Sequence, residues 1–254
     1  MTEIIEFFEK TGWLANLLGI ATVLLTIYFF IRRKVHGIFA NKDFNKIIPR
    51  NFERVWDEAL IKKVARVAIV DDQPADFPQA DLKGDGYQIQ VFKQVTLATT
   101  AQIAIFDVVF LDMKGIVKDD VETGGLKLIA ELRRINPAQK ICAVSSKTFD
   151  INATDFFRQA DDAKKKPLTA QECRTVLNTF FAELFDPSVL KTTASEANTR
   201  IPRKIRVEAI AQIKKFVAKE ISIDQLRDFM RRNVNDHDLA YRIVNIARAV
   251  EHAS

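Results

Sequence analysis

The sequence is poor in the residues that build soft-metal and covalent sites. It has 2 cysteines and 3 histidines in 254 residues. Cys142 lies in an apolar run and Cys173 on a predicted helix. His36, His237 and His252 are scattered, so no metal-ligand spacing arises. Both cysteines read as small core hydrophobes, a usage that suits a reducing compartment. There is no P-loop, no Gly-x-Gly-x-x-Gly turn and no Gly-x-Ser-x-Gly elbow. That removes the common nucleotide-hydrolysing, dinucleotide-binding and serine-hydrolase classes. Charge imbalance is also small. A net charge of +5 permits a nucleic-acid partner without requiring one, and in a membrane protein it marks cytoplasmic flanks instead.

What is present supports a folded chain with an anchor. A hydrophobic fraction of 48% provides for a core, and 28% charged residues is ordinary for a globular protein. From Trp13 to Ile31 the chain carries no charge. At about 1.5 Å per residue this run crosses a bilayer core of about 30 Å. The start is acidic (Glu3, Glu6, Glu9), and Arg32-Arg33-Lys34 follows where a signal peptide would have a small-residue cleavage site. An uncleaved transmembrane helix is therefore expected, with residues 1–34 as anchor and flanks. Arg32, Arg33, Lys34, Lys42, Lys46 and Arg50 stand against Asp43 alone, so the positive-inside rule puts the N-terminus outside and the bulk of the chain in the cytoplasm. The expected location is a plasma or bacterial inner membrane, with a single pass. Ala15 and Gly19 form a small-xxx-small pair that would allow homo-oligomer contact. Residues 35–63 form a juxtamembrane connector in which Phe52, Val55, Trp56, Ala59 and Leu60 recur at near-helical spacing.

From residue 64 to 186 strand and helix signals alternate, which predicts a parallel sheet with right-handed crossovers. Strands are predicted at 66–71, 87–93, 107–112, 140–145 and 161–165, and helices at 97–104, 124–135 and 168–185. Polar residues end the apolar runs. Asp71 and Asp72 follow Val67-Ala-Ile-Val70, Asp112 follows Val108-Val-Phe-Leu111, Ser145 follows Ile141-Cys-Ala-Val144, and Lys166 precedes Pro167. The carboxyl ends of parallel strands form the ligand crevice of such sheets.

That order and spacing resemble the receiver domain of two-component response regulators, over about half of the chain. The resemblance implies an α/β fold, a doubly wound, five-stranded, flavodoxin-like parallel sheet. It implies that Asp112 is a phosphoryl acceptor and that Mg²⁺ is held by Asp71, Asp72, Asp112 and the backbone carbonyl of Lys114. Lys166 and Ser145 would contact the phosphoryl group, and Lys166-Pro167 matches a cis step of the family. The phosphodonor would be a histidine kinase or another phosphorylated partner, and the protein a phosphoryl acceptor rather than a multi-turnover enzyme. An Asp-x-Asp phosphatase motif is absent, because Asp112 is followed by Met113 and Lys114.

Three departures stand out. Pro74 and Pro78 interrupt the segment after the first strand, so its helix is short or irregular. The loop after Asp112 is long and carries Asp119, Asp120 and Glu122, which could reshape the metal site or be solvated. Ala163 occupies the position, three before Lys166, where the family often has an aromatic switch residue. Two alternatives stay open at this point. One is a receiver-fold scaffold or oligomerisation module at the membrane that works without phosphorylation. The other is an effector that perturbs the membrane.

Residues 187–202 read as a polar linker, and 203–254 as a module of three amphipathic helices. These are marked by Ile210, Ile213 and Val217, by Ile223, Leu226 and Met230, and by Leu239, Ile243, Ile246 and Val250. Basic residues there, among them Arg200, Arg206, Arg231 and Arg232, have no interleaved aromatics. Interaction or oligomerisation is therefore expected, and a nucleic-acid partner is not.

Overall fold

The computed structural model describes residues 42–146 and 151–253, together with residue 22. The predicted span at 13–31 lies outside the described residues, and among these no helix is long and apolar enough to cross a membrane. Residues 43–254 form one compact unit.

Five strands build the sheet: β1 (Arg66–Val70), β2 (Gln88–Phe92), β3 (Val108–Asp112), β4 (Lys140–Ser145) and β5 (Asp162–Lys165). All pairs are parallel, in the order β2-β1-β3-β4-β5. This is the flavodoxin-like doubly wound order, with the switch point between β1 and β3. The central strands are buried on both faces, which explains their near-continuous Val, Ile and Ala runs.

Helices cover both faces. Two short ones, α1 (Phe52–Val55) and α2 (Glu58–Val64), precede the sheet. The segment after β1 is a single 3₁₀ turn, Pro74–Asp76, followed by α3 (Gln79–Gly84), the abbreviated element that the two prolines predict. Then come α4 (Thr100–Ile103), α5 (Gly124–Ile135), α6 (Ile151–Gln159) and α7 (Ala170–Phe185). On one face Ala68, Val70, Val109, Leu111 and Ala143 meet Leu128, Ile129 and Leu132 of α5 and Phe156 of α6. On the other, Val67, Ile69, Val108, Phe110 and Val144 meet Cys173, Val176, Leu177 and Phe180 of α7.

The second core does not stop at α7. It runs on through α8 (Pro187–Arg200), α9 (Arg203–Val217), α10 (Ile223–Asn233) and α11 (His237–Ala253). Residues 187–202, expected as a linker, therefore form a helix. Asp186 caps it, accepting from the Ser188 N–H at 2.8 Å, and Pro187 fills the first turn. Its buried stripe is Leu190, Thr193, Ala194 and Ala197. Small and polar residues make that stripe, so the hydrophobic period was hidden. The last three helices fall where expected, with Ser222 and Gln225 in a capping box at the start of α10. Several of their basic residues are paired: Arg200 with Glu196 and Asp236, Arg231 and Arg232 with Asp228.

The described part of the connector joins the same core. Phe44, Phe52 and Trp56 are buried, and the Trp56 indole N–H donates to the Phe185 carbonyl at 2.9 Å. At the amino end of β3, buried Asp107 accepts from the Arg66 N–H at 2.7 Å and pairs with Arg248 of α11 at 2.6 Å. Arg248 also donates to the Val64 carbonyl.

Candidate functional site

The predicted site residues converge at the carboxyl ends of the strands. Asp71 follows β1, Asp112 closes β3, Ser145 closes β4, and Lys166 follows β5. Lys166 is the centre of the arrangement. Its Nζ donates to Asp71 Oδ2 and to Asp112 Oδ2, each at 2.7 Å, and lies 4.0 Å from Asp76 Oδ2. The Lys166–Pro167 bond is cis, and the Lys166 N–H donates to the Ser145 carbonyl at 3.1 Å. Asp112 Oδ1 accepts from the Met113 N–H at 2.7 Å, and Asp71 Oδ1 from the Gln73 N–H at 2.7 Å. These bonds fix both carboxylates without using up their acceptor capacity.

Asp72 is exposed beside them, and Asp71, Asp72 and Asp112 each offer a carboxylate oxygen within 4.8 Å of the others. A cavity of about 290 Å³ opens here, lined by Asp72, Asp112, Lys114, Ser145 and Lys166. Like charges this close repel, and one lysine does not balance them. Burial pushes the Asp112 carboxyl above its ordinary value, and Asp71 adds to the push, while Lys166 works against both. For Lys166, burial opposes the charge, but the hydrogen bonds to Asp112 and Asp71 outweigh it and hold the ammonium above the usual lysine value. Three carboxylates with oxygen donors and spare lone pairs fit a hard divalent cation such as Mg²⁺, whose charge would relieve the crowding.

The acidic loop after β3 is turned to other uses. Asp120 accepts from the Thr123 N–H and hydroxyl and pairs with Lys127 at 2.5 Å, which holds its carboxyl far below the ordinary range. Glu122 pairs with Lys114 at 2.7 Å. Neither belongs to the carboxylate cluster. Ile116 and Val117 are buried, and Val117 bridges Val95 across from the loop after β2. That explains the loop's length: its middle is packed as core, and its acids serve its ends.

Two contributors escaped the sequence reading. Asp76, in the Pro74–Asp76 turn, adds a third carboxylate near Lys166. Gly115 has φ of +80°, and a Cβ there would lie 2.5 Å from Asp72 Oδ2. Its signal was a lone glycine just after β3, where the backbone must pass close to a side chain.

No family model matches the chain, and no curated protein matches it. Among solved structures it is similar to a CheY-like response regulator receiver domain protein from Methanospirillum hungatei JF-1, at 20% identity over 47% of this chain and 94% of that one, with a TM-score of 0.39. It is also similar to a two-component response regulator from Clostridium difficile, at 17% identity over 48% and 99%, with a TM-score of 0.40. A response regulator from Thermotoga maritima aligns at 21% identity over 46% and 98%, with a TM-score of 0.38. The observed strand order is itself that of the flavodoxin-like fold, and about half of this chain forms that sheet and its helices, extended by C-terminal helices.

Proposed function

We propose that this receiver-like domain accepts a phosphoryl group on Asp112 and that the chain is a membrane-tethered signalling protein. The observation that carries the reading is the bridging of Asp71 and Asp112 by one buried lysine, beside an exposed third carboxylate. A structural protein gains little from three carboxylates around one lysine with a fourth, Asp72, alongside, whereas a cation-dependent phosphoryl acceptor requires such a set.

Mg²⁺ would be held by Asp71, Asp72, Asp112 and the Lys114 carbonyl, and would offset negative charge between donor and acceptor. The chain's own groups do the rest. An Asp112 carboxylate oxygen attacks the phosphorus of a phosphohistidine or small phosphodonor. The new P–O bond forms as the bond to the leaving group breaks, and the leaving group keeps the electron pair. Lys166 supplies a positive charge to a phosphoryl oxygen, and the Ser145 hydroxyl donates a hydrogen bond to another. Residues 13–31 would anchor the chain, with residues 35–254 in the cytoplasm, a topology tested by a reporter fused after Ser254.

The deciding experiment is intact-mass measurement after incubation with a small phosphodonor and Mg²⁺. Wild type should gain one phosphoryl group. The gain should vanish on chelation, in Asp112→Asn, and in the double variant Asp71→Asn with Asp72→Asn. If wild type stays unmodified while Asp112→Asn leaves cellular function intact, the phosphorylation-independent scaffold replaces this reading.

A further inference from the structure

The amino ends of the strands carry a second, larger cavity of about 590 Å³. It lies where β1 and β2 begin, walled by residues of α2, α9, α10 and α11. Its volume is in the range of small-molecule sites, roughly 300–1,000 Å³. Three cationic groups line it, Lys63, Arg66 and Arg248, against the single carboxylate of Glu251. Arg248 already has its counter-ion in Asp107.

Arg66 does not. Its guanidinium makes no hydrogen bond or ion pair among the described residues, and its Nε is buried without a partner. Burial, and then the neighbouring charge of Arg248, lower its pKa to about 10. A half-buried guanidinium whose Nε has no partner costs free energy until an anion meets it. Lys63, exposed at the end of α2, adds a second cation without an ion pair among the described residues. The remaining wall is mixed: Phe106, Phe216 and Ile223 supply an apolar part, and Gln88, Gln90 and His252 a polar one.

We propose that this cavity binds a mononucleotide-sized organic phosphate. The phosphoryl group would sit against Arg66 and Lys63, and a flat apolar body against Phe106, Phe216 and Ile223. A dianion matches two cations that lack ion pairs better than a carboxylate does, and the planar guanidinium fork suits phosphate oxygens. The apolar wall would be wasted on inorganic phosphate. Such a ligand would touch the start of the sheet and the C-terminal helices together. It is independent of the Asp112 chemistry at the other end of the strands.

Isothermal titration of the full chain with AMP, in EDTA to silence the carboxylate cluster, tests this. AMP should bind saturably, with adenosine and inorganic phosphate each at least about tenfold weaker. Arg66→Gln should weaken AMP binding about tenfold or more, since it removes a charge-assisted contact. Lys63→Gln should weaken it about threefold, and because Lys63 is exposed this variant keeps the fold. Absence of binding overturns the proposal, as does equal affinity for AMP and adenosine, or for AMP and phosphate. So does AMP affinity unchanged in both variants, or binding that appears only with Mg²⁺, which would place it at the carboxylates.

Discussion

β3 has a buried aspartate at each end, and the two behave differently. Asp107, just before the strand, meets Arg248 at 2.6 Å and the Arg66 N–H at 2.7 Å. Asp112, its last residue, shares one lysine with Asp71 and has Asp72 beside it. Both are buried, and both form short charge-assisted hydrogen bonds. Only Asp112 stands among like charges, and Asp71 adds to the upward push that burial gives its carboxyl. Burial of a carboxylate is thus no mark of chemistry by itself. An excess of one sign, maintained inside the fold, is the better mark.

That contrast can be broken by mutation. The largest effect should come from Asp107→Ala, which leaves Arg248 buried without its counter-ion and should cost about 3–5 kcal/mol. Urea unfolding checks it, and an unchanged midpoint would mean that the pair is not structural. Lys166→Met comes next. It strips the shared cation from Asp71 and Asp112 and should cost about 2 kcal/mol, less than a sealed pair because the cavity admits solvent. Millimolar Mg²⁺ should restore part of the loss by mass action, whereas Mg²⁺ should not rescue Asp107→Ala.

Gly115→Ala should cost about 1–2 kcal/mol, since φ of +80° disfavours a side chain and the new Cβ would displace Asp72. Mg²⁺ titration should show weaker binding in this variant. The smallest effect is a gain. Asp112→Asn removes a crowded charge and should stabilise the protein by about 1 kcal/mol at neutral pH. The sign follows from the raised carboxyl. The native state holds its proton more tightly than the unfolded chain, so the stability that Asp112 contributes is present in acid and lost as pH rises through the native value. The advantage of Asp112→Asn should therefore shrink toward zero below about pH 4. A gain that persists in acid would assign the effect to packing rather than charge.

Much of the sheet was legible because β1, β3 and β4 are short apolar runs that end in Asp, Asp and Ser, and Lys166 follows β5. The order of those four endings identified the crevice, and the structure brings all of them to it. Pro74 and Pro78 likewise announced the abbreviated α3. Less legible was α8, whose buried stripe of Leu190, Thr193, Ala194 and Ala197 reads as a linker. Helix α6 was missed as well. Its residues Ile151–Gln159 follow a short polar stretch and offered only one strong apolar pair, Phe156 and Phe157. The basic cavity was out of reach, since it is assembled by residues distant in sequence. Arg248 and Asp107 are 141 residues apart, and no periodicity links them. Local pattern reveals elements and strand ends, but not which charges tertiary packing leaves uncompensated.

The core that runs from β1 and β3 through α7 into α8–α11 has a consequence for how this protein could have arisen and diverged. A domain whose apolar interior closes at its own boundary can be moved between genes as a portable cassette. Here Arg248 of α11 lies 5.8 Å from the Phe185 ring centroid, and the apolar interior continues through Leu190, Ile213, Leu226 and Ile243. A gene break after Asp186 would strip that surface bare. The sheet and its trailing helices therefore share one interior, and neither could be moved without the other.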